Sequence, residues 1–414
     1  SGTIAATPGG LDWDTAVVTG STVTVEAANG YFINTTSNTC TITLPSSASA
    51  GDQIVLMDYL RTWGTNKIII DSNGLNYQGD PDTFTVEYDT NGETVNIVYS
   101  GATQGWIPLD DDVVADVPVQ PPTQKALFGY GSGDSDAKVS MTNLVNSSGV
   151  IATDTTGVGT ARSDPQAANY GGDKAIFAYG NTGSATAISN LVNNSGVVAT
   201  DTTGVGTARY SLAAARYGTD KAIFGYGTTG SVSSLSNLVS NSGVVATDTS
   251  GVGTARKGIA AAGYGSTGQA LFGYGFTTAI VSMTNLVTNV GVIGADVSGV
   301  GTARWNLAAA RYGTDKAIFA YGANNSSAPF NLSNKVSNAG VVATDTSGVG
   351  TARHVLAAAT YGGDKAIYGY GNDGITGNVS MSNKVSSSGV VASDVTGVGQ
   401  ARSGPAATEY SFSA

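Results

Sequence analysis

Few side chains in this 414-residue chain have the types and spacing that catalysis requires. The chain holds one histidine, His354, and one cysteine, Cys40. A Ser-His or Cys-His nucleophilic pair therefore has no second candidate, and a zinc site lacks ligands. We expect His354 to be a polar surface residue and Cys40 to be a small apolar residue in a strand. The sequence thus predicts a protein that is not an enzyme and that needs no metal and no cofactor.

Two segments fit the glycine pattern G-x-G-x-x-G: GYGTTG at residues 225–230 and GYGSTG at residues 263–268. A dinucleotide site also requires a helix that begins at these glycines, because the helix N-terminus receives the pyrophosphate. Neither segment is expected to begin a helix, and the first ends a repeated strand. Dinucleotide binding is therefore not expected.

The string GVGTAR occurs six times, with Gln400 in place of Thr in the last copy. Its arginines are Arg162, Arg209, Arg256, Arg304, Arg353 and Arg402. Each copy is preceded by one aspartate: Asp154, Asp201, Asp248, Asp296, Asp345 and Asp394. This one-to-one ratio suggests a structural tie within or between repeats, from a guanidinium to a carboxylate or a carbonyl. The alternative is a ring of arginines that lines a central channel and binds an anion.

These residues belong to a repeat of about 48 residues. The strings KALFGYG, KAIFAYG, KAIFGYG, QALFGYG, KAIFAYG and KAIYGYG start at residues 125, 174, 221, 269, 316 and 365. Each unit reads as four short strands: an Ala-rich strand, the KAIFGYG strand, an SNLVSN strand and a VVATDT strand. Gly interrupts every few residues and β-branched residues dominate, so helices are not expected. Four strands in about 48 residues match one propeller blade.

The ends of the repeat region predict a closed ring. The first unit opens at Lys125 without an Ala-rich strand, whereas the last unit continues past Arg402 into such a strand, GPAATEYSFSA. We expect this terminal strand, residues 404–414, to complete the first blade and remove the open sheet edges. Small residues such as Ala213, Ala214 and Ala215 suit the crowded innermost position of each blade. The predicted fold of residues 125–414 is a six-bladed β-propeller.

The order AR-x-x-x-A-A-A, then K-A-I-F-G-Y-G, then a loop and two more strands, resembles the Kelch repeat. This chain has Gly-Tyr-Gly in place of adjacent glycines and lacks the Trp that usually closes a Kelch unit. The resemblance covers residues 125–414. It implies a Kelch-like propeller architecture and little about the ligand.

Residues 1–110 lack the repeat and predict a separate antiparallel β-sandwich. Alternating runs such as TVTVEA, TCTITLP, DQIVLMDY, NKIIIDS, TFTVEY and TVNIVY are separated by Gly, Asn, Asp and Pro turns. Residues 111–124, DDVVADVPVQPPTQ, are acidic and then Pro-rich, which favours a semi-stiff linker. The first residue is Ser1, and no signal-like segment follows, as expected for a processed product or a part of a longer polypeptide.

The stretch GYFINTTSNTCTITLPSSASAGDQIVLMDY, with NKIIIDSNG and the closing GATQGWIP, resembles a module of bacteriophage tail-fibre and other virion structural proteins. The match covers roughly residues 28–110, and GVVATDTTGVGTAR is similar to repeats of large marine-phage structural proteins. Such modules are trimeric or anchor a protein to the virion. The resemblance implies a virion-surface, extracellular location, other virion proteins as partners, and a homotrimer.

The charge balance excludes some partners. Nineteen Lys and Arg against thirty Asp and Glu give a net charge of -11, which repels phosphate backbones and anionic lipid. No apolar run approaches the ~20 residues that span a bilayer. We therefore expect no nucleic-acid binding and no membrane insertion.

The positions where the six units differ predict a binding surface. The loops after GYG and after TAR vary most, and both should emerge on one face of the propeller, while the turns of the opposite face vary less. The candidate ligand-binding residues are Asp134, Asp136, Asp164, Tyr210, Phe276, Trp305, Asn306, Asn324, Asn325, His354 and Asp373. Aromatic rings beside Asn and Asp would suit a glycan. The alternatives are that these loops vary because nothing constrains them, and that Asp134 and Asp136 hold a calcium ion.

The sequence therefore favours a non-catalytic phage virion protein, a fibre, spike or decoration, that presents the propeller to a host-surface receptor or glycan. A purely structural capsid or tail component and a bacterial surface adhesin are the alternatives. A polysaccharide-degrading enzyme is less favoured, because it needs paired carboxylates about 5–9.5 Å apart and the repeat units contain almost no Glu.

Overall fold

The computed structural model describes residues 11–82, 85–109 and 124–411. These residues are almost entirely strands and turns, and the only helical segment among them is a 3-10 turn at Asp134–Asp136. The prediction of an all-β protein is confirmed. The chain divides into two compact units, Ser1–Pro121 and Pro122–Ala414. The predicted linker 111–124 lies outside the described residues except for Gln124.

Residues 11–82 and 85–109 of the N-terminal unit contain nine strands, and each of the six alternating runs contributes one. They are β1 Asp12–Trp13, β2 Thr22–Thr24, β3 Asn29–Ile33, β4 Cys40–Thr43, β5 Gln53–Asp58, β6 Ile68–Asp71, β7 Val86–Tyr88, β8 Thr94–Tyr99 and β9 Trp106–Pro108. They form a five-stranded sheet, β1-β3-β5-β8-β9, and a four-stranded sheet, β2-β4-β6-β7. Side chains of both sheets, including Ile33 and Ile42, enclose one core.

The prediction of antiparallel pairing in this unit is wrong for its first six strands. β1–β3, β3–β5, β2–β4 and β4–β6 all pair in parallel, and only β6–β7, β5–β8 and β8–β9 are antiparallel. Strands β1 to β6 alternate between the two sheets, so each strand from β3 to β6 lies beside the one two places earlier and runs in the same direction. Apolar alternation has a period of two residues in either arrangement, and it does not distinguish them.

The part of the C-terminal unit that the structure describes, residues 124–411, contains eighteen strands. They are β10 Lys125–Gly129, β11 Thr142–Val145, β12 Gln166–Tyr170, β13 Lys174–Asn181, β14 Ala185–Val192, β15 Ala213–Tyr217, β16 Lys221–Gly225, β17 Ser236–Val239, β18 Ala260–Tyr264, β19 Gln269–Phe276, β20 Ile280–Val287, β21 Ala308–Tyr312, β22 Lys316–Ala320, β23 Ser333–Val336, β24 Ala357–Tyr361, β25 Lys365–Gly369, β26 Ser382–Val385 and β27 Ala406–Tyr410.

These strands form six three-stranded antiparallel sheets, numbered here in chain order from the sheet that contains β10. Sheets 2 to 6 each use three consecutive strands, from β12-β13-β14 to β24-β25-β26. Sheet 1 combines both ends of the repeat region in the order β11-β10-β27, with Lys125 opposite Tyr410 and Gly129 opposite Ala406. The terminal strand therefore pairs beside KALFGYG, as the sequence predicts.

The predicted fourth strand of each unit is present only as two isolated bridges to the third strand, for example Val145 to Ile151 and Thr142 to Thr155. Between the two bridges, hydrogen bonds from an asparagine side chain replace the regular backbone ladder. Asn143 Nδ2 donates to the Ala152 carbonyl at 3.0 Å and to Asp154 Oδ1 at 2.9 Å. The amide side chain thus holds the segment away from regular strand pairing.

The first strands of the six sheets (β27, β12, β15, β18, β21 and β24, called here the inner strands) surround one cavity lined largely by alanines such as Ala167, Ala214 and Ala261. Alanine suits this position because six strands converge there and larger side chains would collide. We call the end of the sheets where an inner strand turns into the second strand the turn end, and the opposite end the loop end.

Backbone hydrogen bonds connect the six sheets in a cycle at the turn end. The bonds run from Gly171 N to Asp220 O, Gly218 N to Gly268 O, Gly265 N to Asp315 O, Gly313 N to Asp364 O, Gly362 N to Gln124 O and Ser411 N to Asp173 O. The first bond joins sheet 2 to sheet 3, and the last two join sheet 6 to sheet 1 and sheet 1 to sheet 2. Each sheet is therefore tied to both neighbours.

Candidate binding face and central cavity

The six repeat arginines are fully buried and link neighbouring sheets. Arg256 is typical: its Nη2 donates to Asn285 Oδ1 at 2.6 Å, its Nε to the Tyr274 carbonyl at 2.9 Å and its Nη1 to the Thr254 carbonyl at 3.0 Å. Asn285 and Tyr274 belong to sheet 4, whereas the guanidinium lies 4.4 Å from the ring centre of Tyr226 in sheet 3. Each arginine thus contacts the sheet it precedes and the sheet it follows.

The aspartates complete this link from the next sheet. Asp248 accepts hydrogen bonds from the Thr207 amide at 3.0 Å, the Thr207 hydroxyl at 2.6 Å and Asn237 Nδ2 at 2.9 Å. Desolvation opposes ionisation of this carboxyl, but these hydrogen bonds and the charge of Arg209 lower its pKa. None of the six arginines is among the residues that line the described cavity. They form the structural tie, and the alternative of a channel lined by these arginines is wrong.

The variable positions of the six units lie together at the loop end. The residue after each repeat arginine pairs by an isolated bridge with the residue after the GYG or AYG motif, as Tyr210 does with Thr228 and Trp305 with Ala323. We call these six positions after the arginine the variable ring: Ser163, Tyr210, Lys257, Trp305, His354 and Ser403. Both variable loops of each unit therefore emerge at the same end of their sheet.

An aromatic pair bridges sheets 4 and 5 on this ring. The rings of Phe276 and Trp305 lie 5.4 Å apart at 44°, and the Lys257 ammonium lies 5.9 Å from the centre of Phe276. Trp305 Nε1 donates to the Asn324 carbonyl at 3.1 Å. Asn325 Oδ1 accepts from the Ile280 amide at 3.2 Å, so the loop of sheet 5 contacts the loop of sheet 4. Four of the predicted ligand-binding residues thus form one cluster.

Asn306 and Asp164 lie one position further along, at the loop-end mouth of the cavity. The six residues at this position share a left-handed backbone: Asp164, Ser211, Gly258, Asn306, Val355 and Gly404 have φ between 48° and 60°. They are joined by backbone hydrogen bonds, such as Asn306 N to Gly258 O at 2.8 Å and Val355 N to Asn306 O at 2.8 Å. Burial at this mouth raises the pKa of Asp164 to about 6.

His354 is half-buried in the variable ring. Its Nδ1 lies 3.1 Å from the Asn372 carbonyl, and desolvation lowers its pKa. The nearby Asp373 carboxylate accepts amide hydrogen bonds from its own loop, including Gly377 N at 2.9 Å. Although desolvation raises the pKa of Asp373, these bonds and the Thr376 hydroxyl lower it to about 2. This carboxylate therefore serves its own loop.

Asp134 and Asp136 are exposed on the 3-10 turn that follows β10. Lys138 Nζ lies 3.1 Å from Asp136 Oδ2, and Ser132 Oγ donates to Asp136 Oδ1 at 2.9 Å. The hydrogen bond from Lys138 lowers the pKa of Asp136. The Lys138 ammonium thus lies beside the Asp136 carboxylate, where the calcium alternative would place the metal ion.

Five polar residues at the turn end of the cavity were missed from the sequence. The fourth position of five inner strands is polar and lines the cavity: Asn169, Arg216, Arg311, Thr360 and Glu409. The available signal was that this one position differs in every repeat but two, within a strand that is otherwise nearly all alanine.

No family model matches the chain, and no curated protein matches it significantly. No helix in the described ranges has the length and hydropathy that crossing a bilayer requires. Within those same ranges, His, Cys, Asp and Glu side chains do not gather in groups of three or more that suit a metal ion.

Proposed function

We propose that residues 125–414 form a six-bladed, Kelch-like β-propeller and that the protein is a non-catalytic display protein that binds a host-surface glycan. The propeller is supported by the pairing of β10 with β27, by the cycle of hydrogen bonds at the turn end, and by six inner strands around one cavity. Each of the six sheets would be one blade, and the outermost segment of each blade pairs through isolated bridges in place of a regular strand.

The binding function is inferred from one observation, the contrast between constant and variable positions of the repeat in the C-terminal unit. The buried arginines and their Asn partners are identical in all six units. The variable ring, which lies on the same repeated framework, carries five residue types at six positions. A constant framework that holds varied side chains at one end is typical of a recognition surface.

A glycan fits the chemistry of the cluster at sheets 4 and 5. Trp305 and Phe276 are half-buried, so each ring keeps an accessible part that can pack against the apolar face of a sugar. Their contact and the Trp305 hydrogen bond to Asn324 fix the ring orientations before a ligand arrives. The side-chain amide nitrogens of Asn324 and Asn325 supply donors for sugar hydroxyls beside the rings, while their Oδ1 atoms accept backbone amides and hold the loop.

The proposed location is the surface of a phage virion, where the N-terminal unit would trimerise or anchor the chain to other virion proteins. This part of the proposal rests on the resemblance of residues 28–110 to virion modules. The N-terminal unit is a two-sheet body with its own core, which suits an independent anchoring module.

The test is a glycan array and a host-cell adsorption assay with Trp305→Ala and Phe276→Ala. Trp13→Ala is the matched control, because Trp13 also forms a half-buried aromatic pair, with Phe32 at 4.9 Å, in the other unit. We expect both variants of the cluster to lose at least tenfold in affinity, and the control to bind as the unchanged protein does.

Three results would overturn the proposal. The first is no glycan binding with unchanged adsorption in all variants, and the second is loss of binding in Trp13→Ala alone. The third is release of reducing ends from purified host envelope, which would indicate a polysaccharide-degrading enzyme.

A further inference from the structure

The turn end of the central cavity is unlike the rest of its lining. The fourth residue of each inner strand contributes to one ring there: Asn169, Arg216, Gly263, Arg311, Thr360 and Glu409. Elsewhere the cavity is lined mainly by alanine. Polar and charged side chains are therefore concentrated at one level of an otherwise apolar cavity.

The charges of this ring do not balance. Arg216 and Arg311 carry two positive charges, and Glu409, only 8% exposed, carries one negative charge. Gly263 lies between the two arginine-bearing strands, and the Arg311 stem occupies the space that a Cβ at Gly263 would approach, with Arg311 Cδ at 3.2 Å. Missing bulk at Gly263 thus allows the Arg311 side chain to lie along the ring. Within the ring itself, the arginines therefore outnumber the carboxylates by one.

Donors at the same level also lack acceptors. Asn169 is 2% exposed, and its Nδ2 has no hydrogen-bond partner among residues 11–82, 85–109 and 124–411. Within these ranges the same holds for Arg311 Nε, although the Arg311 guanidinium also donates to the Thr314 carbonyl. Buried donors without acceptors are costly and rare in native proteins, and an anion would satisfy them.

We propose that this ring binds one small monovalent anion, a halide or a small oxyanion such as nitrate, between Arg311, Arg216 and Asn169. The cavity at this level has a volume of about 40 Å³, which suits an ion of a few atoms and excludes a sugar or a nucleotide. The anion neutralises the excess arginine charge within the ring and accepts from the buried donors. This site is separate from the glycan face at the loop end, and it does not depend on that function.

The position of the anion is tested by diffraction from crystals of the full chain soaked in sodium bromide. We expect an anomalous bromide peak within hydrogen-bond distance of Arg311 and Asn169. No peak at this ring, with peaks only on the outer surface, would overturn the proposal.

The effect of the anion is tested by thermal unfolding at constant ionic strength, with sodium chloride replaced stepwise by sodium gluconate, whose anion is too large for the cavity. We expect the melting temperature of the C-terminal unit to rise with chloride, because a ligand that binds only the folded state stabilises it. The Arg311→Gln variant should lose this rise, whereas Glu409→Gln should reach it at about tenfold lower chloride. Arg61→Gln removes an exposed charge from the other unit and should respond to chloride as the unchanged protein does.

Arg311→Gln and Glu409→Gln are expected to change chloride binding in opposite directions. If Arg311→Gln does not fold, the test still stands on Glu409→Gln, which must bind chloride more tightly than the unchanged protein. Equal melting temperatures in chloride and in gluconate would overturn the proposal. A bromide peak without any chloride-specific stabilisation would identify an adventitious ion only, and it would also overturn the proposal.

Discussion

Arg402 Nη2 donates to Asn143 Oδ1 over 2.7 Å, although the two residues are 259 positions apart in the chain. The equivalent contact between two sheets that follow each other in the chain joins residues only about 30 positions apart, as between Arg304 and Asn334. Arg402 also lies 3.8 Å from Asp154 and 4.0 Å from the ring centre of Tyr370. The same arginine–asparagine contact therefore links consecutive sheets and also joins the last sheet to the first.

We predict that Arg402→Met destabilises the C-terminal unit by about 2–4 kcal/mol, because it leaves Asn143 Oδ1 and the Gln400 carbonyl without their donor and removes the positive charge beside Asp154. Urea unfolding followed by intrinsic fluorescence measures the loss. Arg256→Met should cost at least as much, because Arg256 makes the equivalent contacts and its Nε also donates to the Tyr274 carbonyl. Arg61→Met, at an exposed position, should stay within about 0.5 kcal/mol. A loss below about 1 kcal/mol for Arg402→Met would contradict the role given to this contact.

Removal of residues 403–414 should open the C-terminal unit. Without β27, the edge of β10 from Lys125 to Gly129 loses its five paired residues, and an unpaired edge invites association between molecules. We expect a lower melting temperature and soluble aggregates in size-exclusion chromatography. A synthetic peptide of residues 403–414, added in excess, should restore the elution volume of the full chain. A truncated chain with unchanged stability would show that the pairing contributes little.

The repeat could be predicted from the sequence because the same signal occurs six times. The Ala-rich and KAIFGYG strings place two strands per unit, and the missing first strand predicts the partner of Lys125. The fourth strand was overestimated, because the apolar pattern of VVATDT does not reveal that the Asn143 amide bonds the Ala152 carbonyl in place of a ladder. A side chain that competes with the backbone is hard to recognise from a strand pattern alone.

Two other features lay beyond the sequence for different reasons. Parallel pairing of β3 with β5 depends on β4 lying in the other sheet, a relationship that alternation along one strand does not report. Arg216 and Arg311 could not be assigned to a site, because most of the variation between units lies in the loops at the other end. Their inner strand varies mainly at this position, and only the convergence of six strands brings the two arginines together.

Val355 is a β-branched residue in the left-handed region, with φ of 52°. Asn306 has the same φ at the same position of the preceding unit. Because β-branched residues are strained there and Asn is tolerated, Val355→Asn should stabilise the protein by about 1 kcal/mol. The reverse change, Asn306→Val, should cost about the same. Chemical unfolding measures both, with the exposed Val244→Asn as the control. Equal stabilities of all three variants would show that this conformation carries no strain.

The Asp164 carboxyl should make stability fall as pH rises from about 4 to 6. Burial raises its pKa in the folded protein to about 6, whereas the unfolded chain should have an ordinary value near ~3.9. Between these values the folded state holds a proton that the unfolded state has released, so raising the pH favours unfolding, and the full cost persists above 6. Asp164→Asn should therefore gain up to about 3 kcal/mol at pH 7 and nothing near pH 3. A gain that is the same at both pH values would exclude this titration as the cause; Ser211→Asn, at the same position in the next unit, controls for the backbone.

Cys40 should report the opening of the N-terminal unit. Its side chain is fully buried, and desolvation raises the pKa of its thiol to about 11. At pH 8 ionisation alone should make the thiolate roughly 200-fold scarcer than in an unfolded chain, and burial blocks the reagent as well. Labelling with a disulfide reagent should therefore be slow until denaturant unfolds this unit. Ile42→Ala removes a fully buried neighbour from the same core and should cost about 2–5 kcal/mol, with faster labelling in proportion. The exposed Val244→Ala variant in the other unit should label as slowly as the unchanged protein, and rapid labelling of the unchanged protein would show that Cys40 is accessible without unfolding.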